Sequence, residues 1–385
     1  MCACPAILSP ALARGVGRMK ILPKNHSIPR SHPSRMAALD MLRACALLSV
    51  VIYHSVQMSP VPLPTLSLVT TYGQYGVDLF FVLSGWLIGG LYWREMQLDG
   101  QVNIARFWGR RWLRTLPPYF VALALSWGAV RFSRGEPFDP GYLLFLQNYD
   151  ERIPYFLVSW SLCVEEHFYL VAPLLAGALF ALTARRYFWI TCIGLLAVSP
   201  LCRWLEWNRH PAMDFGYIQT ATHLRLDGLV MGFALSFIAI HSPRSYGQLT
   251  SSALPTLAAT IGGLIAIRMI GGPTCFALWP LLVSIVFAAV LVATSTRKSD
   301  DGGWVPWSAV ALSSYSAYLV HPLAIHVAIS LAAGNSIIYW PAAATFTMAG
   351  TALLYFAVEK PAILLRDAYL PRRALMRGKT MSCGG

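Results

Sequence analysis

Ten apolar runs of 16 to 23 residues follow one another along this chain, at about 39–58, 75–93, 116–131, 160–182, 187–205, 222–240, 253–270, 275–294, 307–329 and 337–358. A hydrocarbon core about 30 Å thick is crossed by roughly 20 helical residues. Lipid offers no partner to a bare backbone group, so runs of this length restrict the chain to a bundle of spanning helices. Composition agrees, with 56% hydrophobic and 12% charged residues and a mean hydropathy of +0.53. The expected class is all-α and polytopic, with about ten transmembrane helices and no internal repeat. Residues 1–38 read as a basic, disordered arm, 39–358 as one membrane domain and 359–385 as a basic tail. The short apolar stretch 6–13 lacks the sustained core and cleavage site of a secretory signal.

Orientation follows from where the Lys and Arg residues fall. The arm, residues 94–114, 185–186, Arg244, 297–298 and the tail together hold 22, against seven in the opposite set of connections. Positive connections stay inside, so both termini are expected on the cytoplasmic side. The net charge of +13 therefore reads as a topology signal and implies no nucleic-acid partner. Eight cysteines are scattered without ligand spacing, so neither a disulfide framework nor a metal site is expected.

The first run carries Asp40, Arg43 and His54. An ionisable residue in a span costs about 2.5–3.5 kcal/mol on insertion scales and marks a functional suspect. Asp40, Arg43, Leu47, Val50 and His54 follow the 3–4 spacing of one helix face. Arg43 and His54 stand eleven residues apart, which is about 16 Å of rise. Asp78, Glu165, Glu166, Arg225, Asp227 and His321 fall, with His54, in the outer half of five different spans, more than a purely structural bundle needs. At the other surface Arg111 and Arg114 share a face among Trp108 and Trp112, just before Pro117 and Tyr119. Paired arginines suit bidentate phosphate contacts. The pattern points to a two-sided site, in which cationic groups at the cytoplasmic mouth hold a phosphorylated donor. A deeper histidine takes a proton from a hydroxyl while a carboxylate orients it, and this combination suits acyl transfer.

These residues resemble acyltransferase family 3, the integral membrane O-acyltransferases of cell-surface glycans and macrolide-like metabolites. The strings that carry the resemblance are Leu39-Asp40-x-Leu42-Arg43 with His54, and Gly76-Val77-Asp78-Leu79-Phe80-Phe81-Val82-Leu83-Ser84-Gly85. Arg111-x-x-Arg114 with Pro117 and Tyr119 belongs with them, as does Trp160-Ser161-Leu162-x-x-Glu165 with Phe168-Tyr169. Arg225-x-Asp227-Gly228, Ser314-Tyr315-Ser316-x-Tyr318-Leu319-x-His321 and Glu359-Lys360-Pro361 complete the set, in order over roughly 36–365. His167 departs from the glutamine usual in the family, with little consequence expected. The resemblance implies acyl-CoA, usually acetyl-CoA, as co-substrate from the cytoplasm, with no bound cofactor. It also implies an essential His54, as base or transient acyl carrier, and donor contacts from Arg43, Arg111 and Arg114. Many members carry a further esterase-like domain outside the membrane. None is recognised in this sequence, so the chemistry is expected to lie in the membrane domain.

Each residue also has a plainer reading. Arg111 and Arg114 at a membrane boundary also suit positive-inside anchoring. Glu165 could pair with Arg225 or His321 to neutralise buried charge, and Glu166, about 100° away on the helix, is an alternative carboxylate. Asp78, Tyr119, Trp160, Ser161, Glu166, Arg225, Asp227 and His321 are read as substrate-binding or architectural. The expectation is a multi-pass enzyme of the bacterial inner membrane, contacting membrane lipids, that moves an acetyl or other acyl group to a hydroxyl of a carbohydrate or glycosylated acceptor. His54 and Glu165 are its catalytic pair. The alternatives are acylation of a macrolide-like metabolite and, from another class, a proton-coupled secondary transporter. Against transport stand the missing inverted repeat and the cationic mouth.

Overall fold

A computed structural model describes residues 33–60, 71–150, 152–181, 185–209, 220–295 and 307–371. The N-terminal arm up to residue 32 and the basic tail beyond residue 371 lie outside the described residues. Those described form helices and short turns without a β-strand. Among the described residues eight helices are long and apolar enough to cross a membrane. This is an all-α polytopic membrane protein.

In chain order the helices are α1 (Pro33–Gln57), α2 (Gly76–Asp99), α3 (Ile104–Arg134), α4 (Ser159–Ala181), α5 (Arg185–Arg209), α6 (Asp227–His241) and α7 (Pro243–Ser251). They continue with α8 (Ala253–Ile270), α9 (Gly272–Ser295), α10 (Trp307–Leu312), α11 (Ser314–Ala332), α12 (Ser336–Leu354) and α13 (Lys360–Tyr369). Each expected run is helical, but two fall short of the span criteria. The third run lies inside the 31-residue α3, whose arginines lower its hydropathy. The sixth keeps only the 15 residues of α6, about 22 Å of helix, because Thr222–Leu224 form a separate turn ahead of it. The ninth run is divided at Ser313 between α10 and α11.

Helical arms also reach past the apolar runs. Residues 94–114, expected as a connection, continue α2 to Asp99 and begin α3 at Ile104. The Asn103 side chain accepts from the Arg106 N–H at 2.9 Å and caps α3, while Glu95 pairs with Arg106 at 2.5 Å across the turn. At the other end, a π-helical turn at Tyr355–Glu359 joins α12 to α13, so residues 360–369 are helix rather than tail. The turn carries Glu359 into the core, where Ser316 Oγ donates to it at 2.6 Å.

Alternation of the helices is fixed by contacts at both ends. Tyr339, near the start of α12, donates to Ser55 O near the end of α1 at 2.6 Å, and the Trp207 ring at the end of α5 lies 5.1 Å from Phe276 at the start of α9. At the opposite end Arg110 of α3 holds Asp367 of α13 at 2.8 Å. The centre is the α2–α6 contact. A Cβ on Gly85 would lie 2.1 Å from Leu229 O, and one on Gly232 would lie 2.1 Å from Val82 O, so only glycine lets these backbones meet. Tyr92, Trp93, Phe233 and Phe237 fill the space beneath.

Candidate active site

The polar stripe on α1 faces two clefts rather than one. Leu47 and Val50 are buried in the middle, with Arg43 toward one end of the bundle and His54 toward the other. The cleft at the His54 end is the larger of the two, about 1860 Å³ with its solvent-open mouth included, and is lined by Tyr53, Tyr72, Tyr75, Asp78, Trp160, Trp207, Arg225, Phe276 and Trp279. The cleft at the Arg43 end takes up about 620 Å³ with its solvent-open mouth included and is lined by Phe80, Ser84, Arg111, Arg114, Thr115, Ser161, Glu165 and Tyr315. Val77 and Tyr318 line both, so they form the wall between them.

In the larger cleft, His54 Nδ1 lies 3.1 Å from Val50 O and 3.1 Å from His321 Nε2. His321 is fully buried, and its Nδ1 lies 2.8 Å from Tyr318 O. The expected contact of Glu165 with His54 is not formed, and the position beside the ring is held by His321. Arg225 donates to Asp78 at 3.0 Å and lies 5.4 Å above the Trp160 ring, so this ion pair shapes the cleft beside an aromatic wall.

In the smaller cleft Glu165 accepts from Ser84 Oγ at 2.7 Å, Tyr169 OH at 2.7 Å and Arg111 Nη2 at 3.1 Å. Arg111 also lies 3.8 Å above the Tyr169 ring, so its charge is largely compensated. Arg114 stands 3.8 Å from the Glu359 carboxylate. Among the described residues the half-buried Arg43 guanidinium makes no hydrogen bond or ion pair, and Asp40 and Glu165 act on its charge only at longer range. Ser161 Oγ and Tyr318 OH are 2.6 Å apart at the dividing wall.

Other candidates lie outside both clefts. Tyr119 is buried, donating to Tyr142 O at 2.9 Å and accepting from Gln147 at 3.1 Å. Glu166 accepts from Thr115 and Trp112, each at 3.2 Å, and Trp108 and Trp112 stack on each other. Asp227 is fully paired with Arg203, at 2.7 and 3.1 Å, both residues being buried. Arg203 also donates to Ala277 O at 2.8 Å and to Leu224 O at 2.5 Å, tying α5 to α6 and α9. His167 Nδ1 meets Thr222 Oγ1 at 2.7 Å and belongs to a structural network with Asn148. The sequence reading missed Arg203, Gln147 and Asn148. For Arg203 the signal was present, an arginine within an apolar run. For the two buried amides in a connection there was none.

The family model for an acyltransferase domain matches residues 36–356. The chain belongs to this acyltransferase family. It is similar to the peptidoglycan O-acetyltransferase OatA of Listeria monocytogenes, at 27% identity over 330 residues covering 74% of this chain and 48% of that protein. It is also similar to YrhL of Bacillus subtilis, named as a candidate peptidoglycan O-acetyltransferase, at 26% identity over 86% of this chain and 55% of that protein. A candidate O-acetyltransferase of Staphylococcus aureus (strain MSSA476) is 29% identical over 53% of this chain and 35% of its own length. The chain thus spans between about a third and about half of these curated relatives. No solved structure matches.

In this acyltransferase-family chain the matched region contains both clefts and the wall between them. Arg43 lines the smaller cleft without a direct hydrogen bond or ion pair among the described residues. A hydrogen bond to a charged group contributes about 1.5–3 kcal/mol, or more than tenfold in affinity. Arg43→Gln is therefore expected to raise KM for an anionic donor at least tenfold, with kcat changed far less, as initial-rate kinetics across donor concentration would show.

Proposed function

We propose that this protein is an acyl-CoA-dependent O-acyltransferase of the bacterial inner membrane, moving an acyl group, most simply acetyl, to a hydroxyl of an envelope carbohydrate. The observation that carries this reading is the pair of clefts with contrasting linings that share one wall beside His54. The smaller, with Arg43, Arg111 and Arg114 at its mouth, suits the phosphates of a CoA thioester. The larger is rich in aromatic rings, which offer flat apolar faces with polar edges to a sugar.

In this reading the thioester end of the donor passes Ser84 and Phe80 to the wall formed by Val77 and Tyr318. The acceptor hydroxyl lies in the larger cleft against His54. His54 Nε2 accepts the hydroxyl proton as the oxygen attacks the thioester carbonyl. The carbon–sulfur bond breaks, the ester forms, and the imidazolium returns its proton to the departing CoA thiolate. Glu165 acts at a distance from this step. Held by Ser84, Tyr169 and Arg111, it fixes the arginine that meets the donor.

Mass spectrometry of surface glycans from cells with and without the protein tests the reading. An ester mass increment present only with the protein is expected, and its mass names the acyl group. No increment on any glycan, with the protein at normal level in the membrane, would refute a glycan acceptor.

A further inference from the structure

We propose that His321 is a positioning residue that fixes the tautomer of His54, and that Pro322 is what commits His321 to this task. The inference rests on the reading of His54 as the base. It begins with a backbone group. In a helix the carbonyl of residue 318 accepts from the N–H of residue 322, and proline has no N–H. Pro322 stands inside α11, so Tyr318 O lacks its helical donor within the bundle core. His321 Nδ1 takes that place at 2.8 Å.

A carbonyl only accepts, so His321 Nδ1 carries the hydrogen. His321 Nε2 faces His54 Nδ1 at 3.1 Å. His54 Nδ1 also faces Val50 O, again at 3.1 Å, and must therefore carry a hydrogen of its own. A hydrogen on His321 Nε2 would point at that N–H, so His321 Nε2 instead accepts a share of the His54 hydrogen and His321 is neutral. The two carbonyls at the ends of the chain thus determine both tautomers. The consequence falls on His54 Nε2, which has no partner among the described residues. It keeps its lone pair, and His54 lines the larger cleft where the acceptor hydroxyl would lie.

A neutral imidazole here does the aligning work that a carboxylate does in a Ser-His-Asp triad. No carboxylate contacts either ring among the described residues. His321 touches neither cleft, and its effect reaches the reaction only through His54.

The test uses the full-length protein in membranes or detergent, labelled with 15N in its histidine rings. The His54 signals are those lost in His54→Asn. Wild type is expected to show His54 protonated on Nδ1 and unprotonated on Nε2. The opposite tautomer would overturn the proposal, whatever the activity. Kinetics supply the second arm. His321→Leu removes the acceptor at similar volume, and kcat is expected to fall about 10²-fold with both KM values within about threefold. His321→Gln places an amide oxygen where Nε2 was, and is expected to recover kcat to within about tenfold of wild type. A normally folded His321→Gln with no recovery, or His321→Leu with undiminished kcat, would overturn the proposal. If the 15N tautomer is as expected but no acyl transfer occurs, the histidine pairing stands and the proposed function fails.

Discussion

Membranes carrying His54→Ala are expected to transfer acyl groups at least 10³-fold more slowly than wild type at equal protein level. General base catalysis supplies about 10²–10⁴-fold, and His54 is the only imidazole that lines the larger cleft among the described residues. KM for the donor should barely change, because the arginine cleft lies on the other side of Val77 and Tyr318. That split separates loss of the base from loss of the fold. Initial rates with labelled donor would measure it, and a His54→Ala protein with more than a tenth of wild-type kcat would remove His54 from the mechanism.

The largest effect on stability is expected at a residue that takes no part in the chemistry. Arg203→Leu leaves the buried Asp227 carboxylate without its two-pronged partner, and takes donors from Leu224 O and Ala277 O. Breaking a buried ion pair from one side costs about 3–5 kcal/mol, against a total stability of about 5–15 kcal/mol for a typical domain. The variant should lose most of its folded yield, or unfold far below wild type in a thermal scan in detergent. Adding Asp227→Leu removes the orphaned charge, and should restore part of the loss, limited by the two carbonyls still without donors. An Arg203→Leu protein as stable as wild type would show that the pair contributes nothing.

The α1 stripe was legible because helical periodicity is local. Asp40, Arg43 and His54 share a face whatever they meet, and the spacing alone predicts about 16 Å between the last two. Partners were not legible in the same way. His54 and His321 are 267 positions apart, and nothing in either segment identifies the other. Glu165 was a reasonable partner for His54 by depth. Depth does not give rotation about the bundle axis, and the side chain turns to Ser84, Tyr169 and Arg111 instead. Arg203 is visible in the fifth apolar run. The rule that flags Arg43 in a span flags Arg203 as well, and its aspartate lies only 24 residues on. Helix ends were the least legible part. Hydropathy reports the apolar stretch, whereas caps and ion pairs such as Asn103 with Arg106, and Glu95 with Arg106, extend helices beyond it.

In the proposed reaction donor and acceptor meet from opposite faces at one wall. Sealed vesicles of defined orientation, given labelled acetyl-CoA only in the outside medium, test it most directly. With acceptor glycan on both sides, inside-out vesicles are expected to form labelled ester in the lumen, and right-side-out vesicles to form almost none until they are permeabilised. Equal labelling by intact vesicles of both orientations, or ester formed only on the side that holds the donor, would rule out transfer between the two faces.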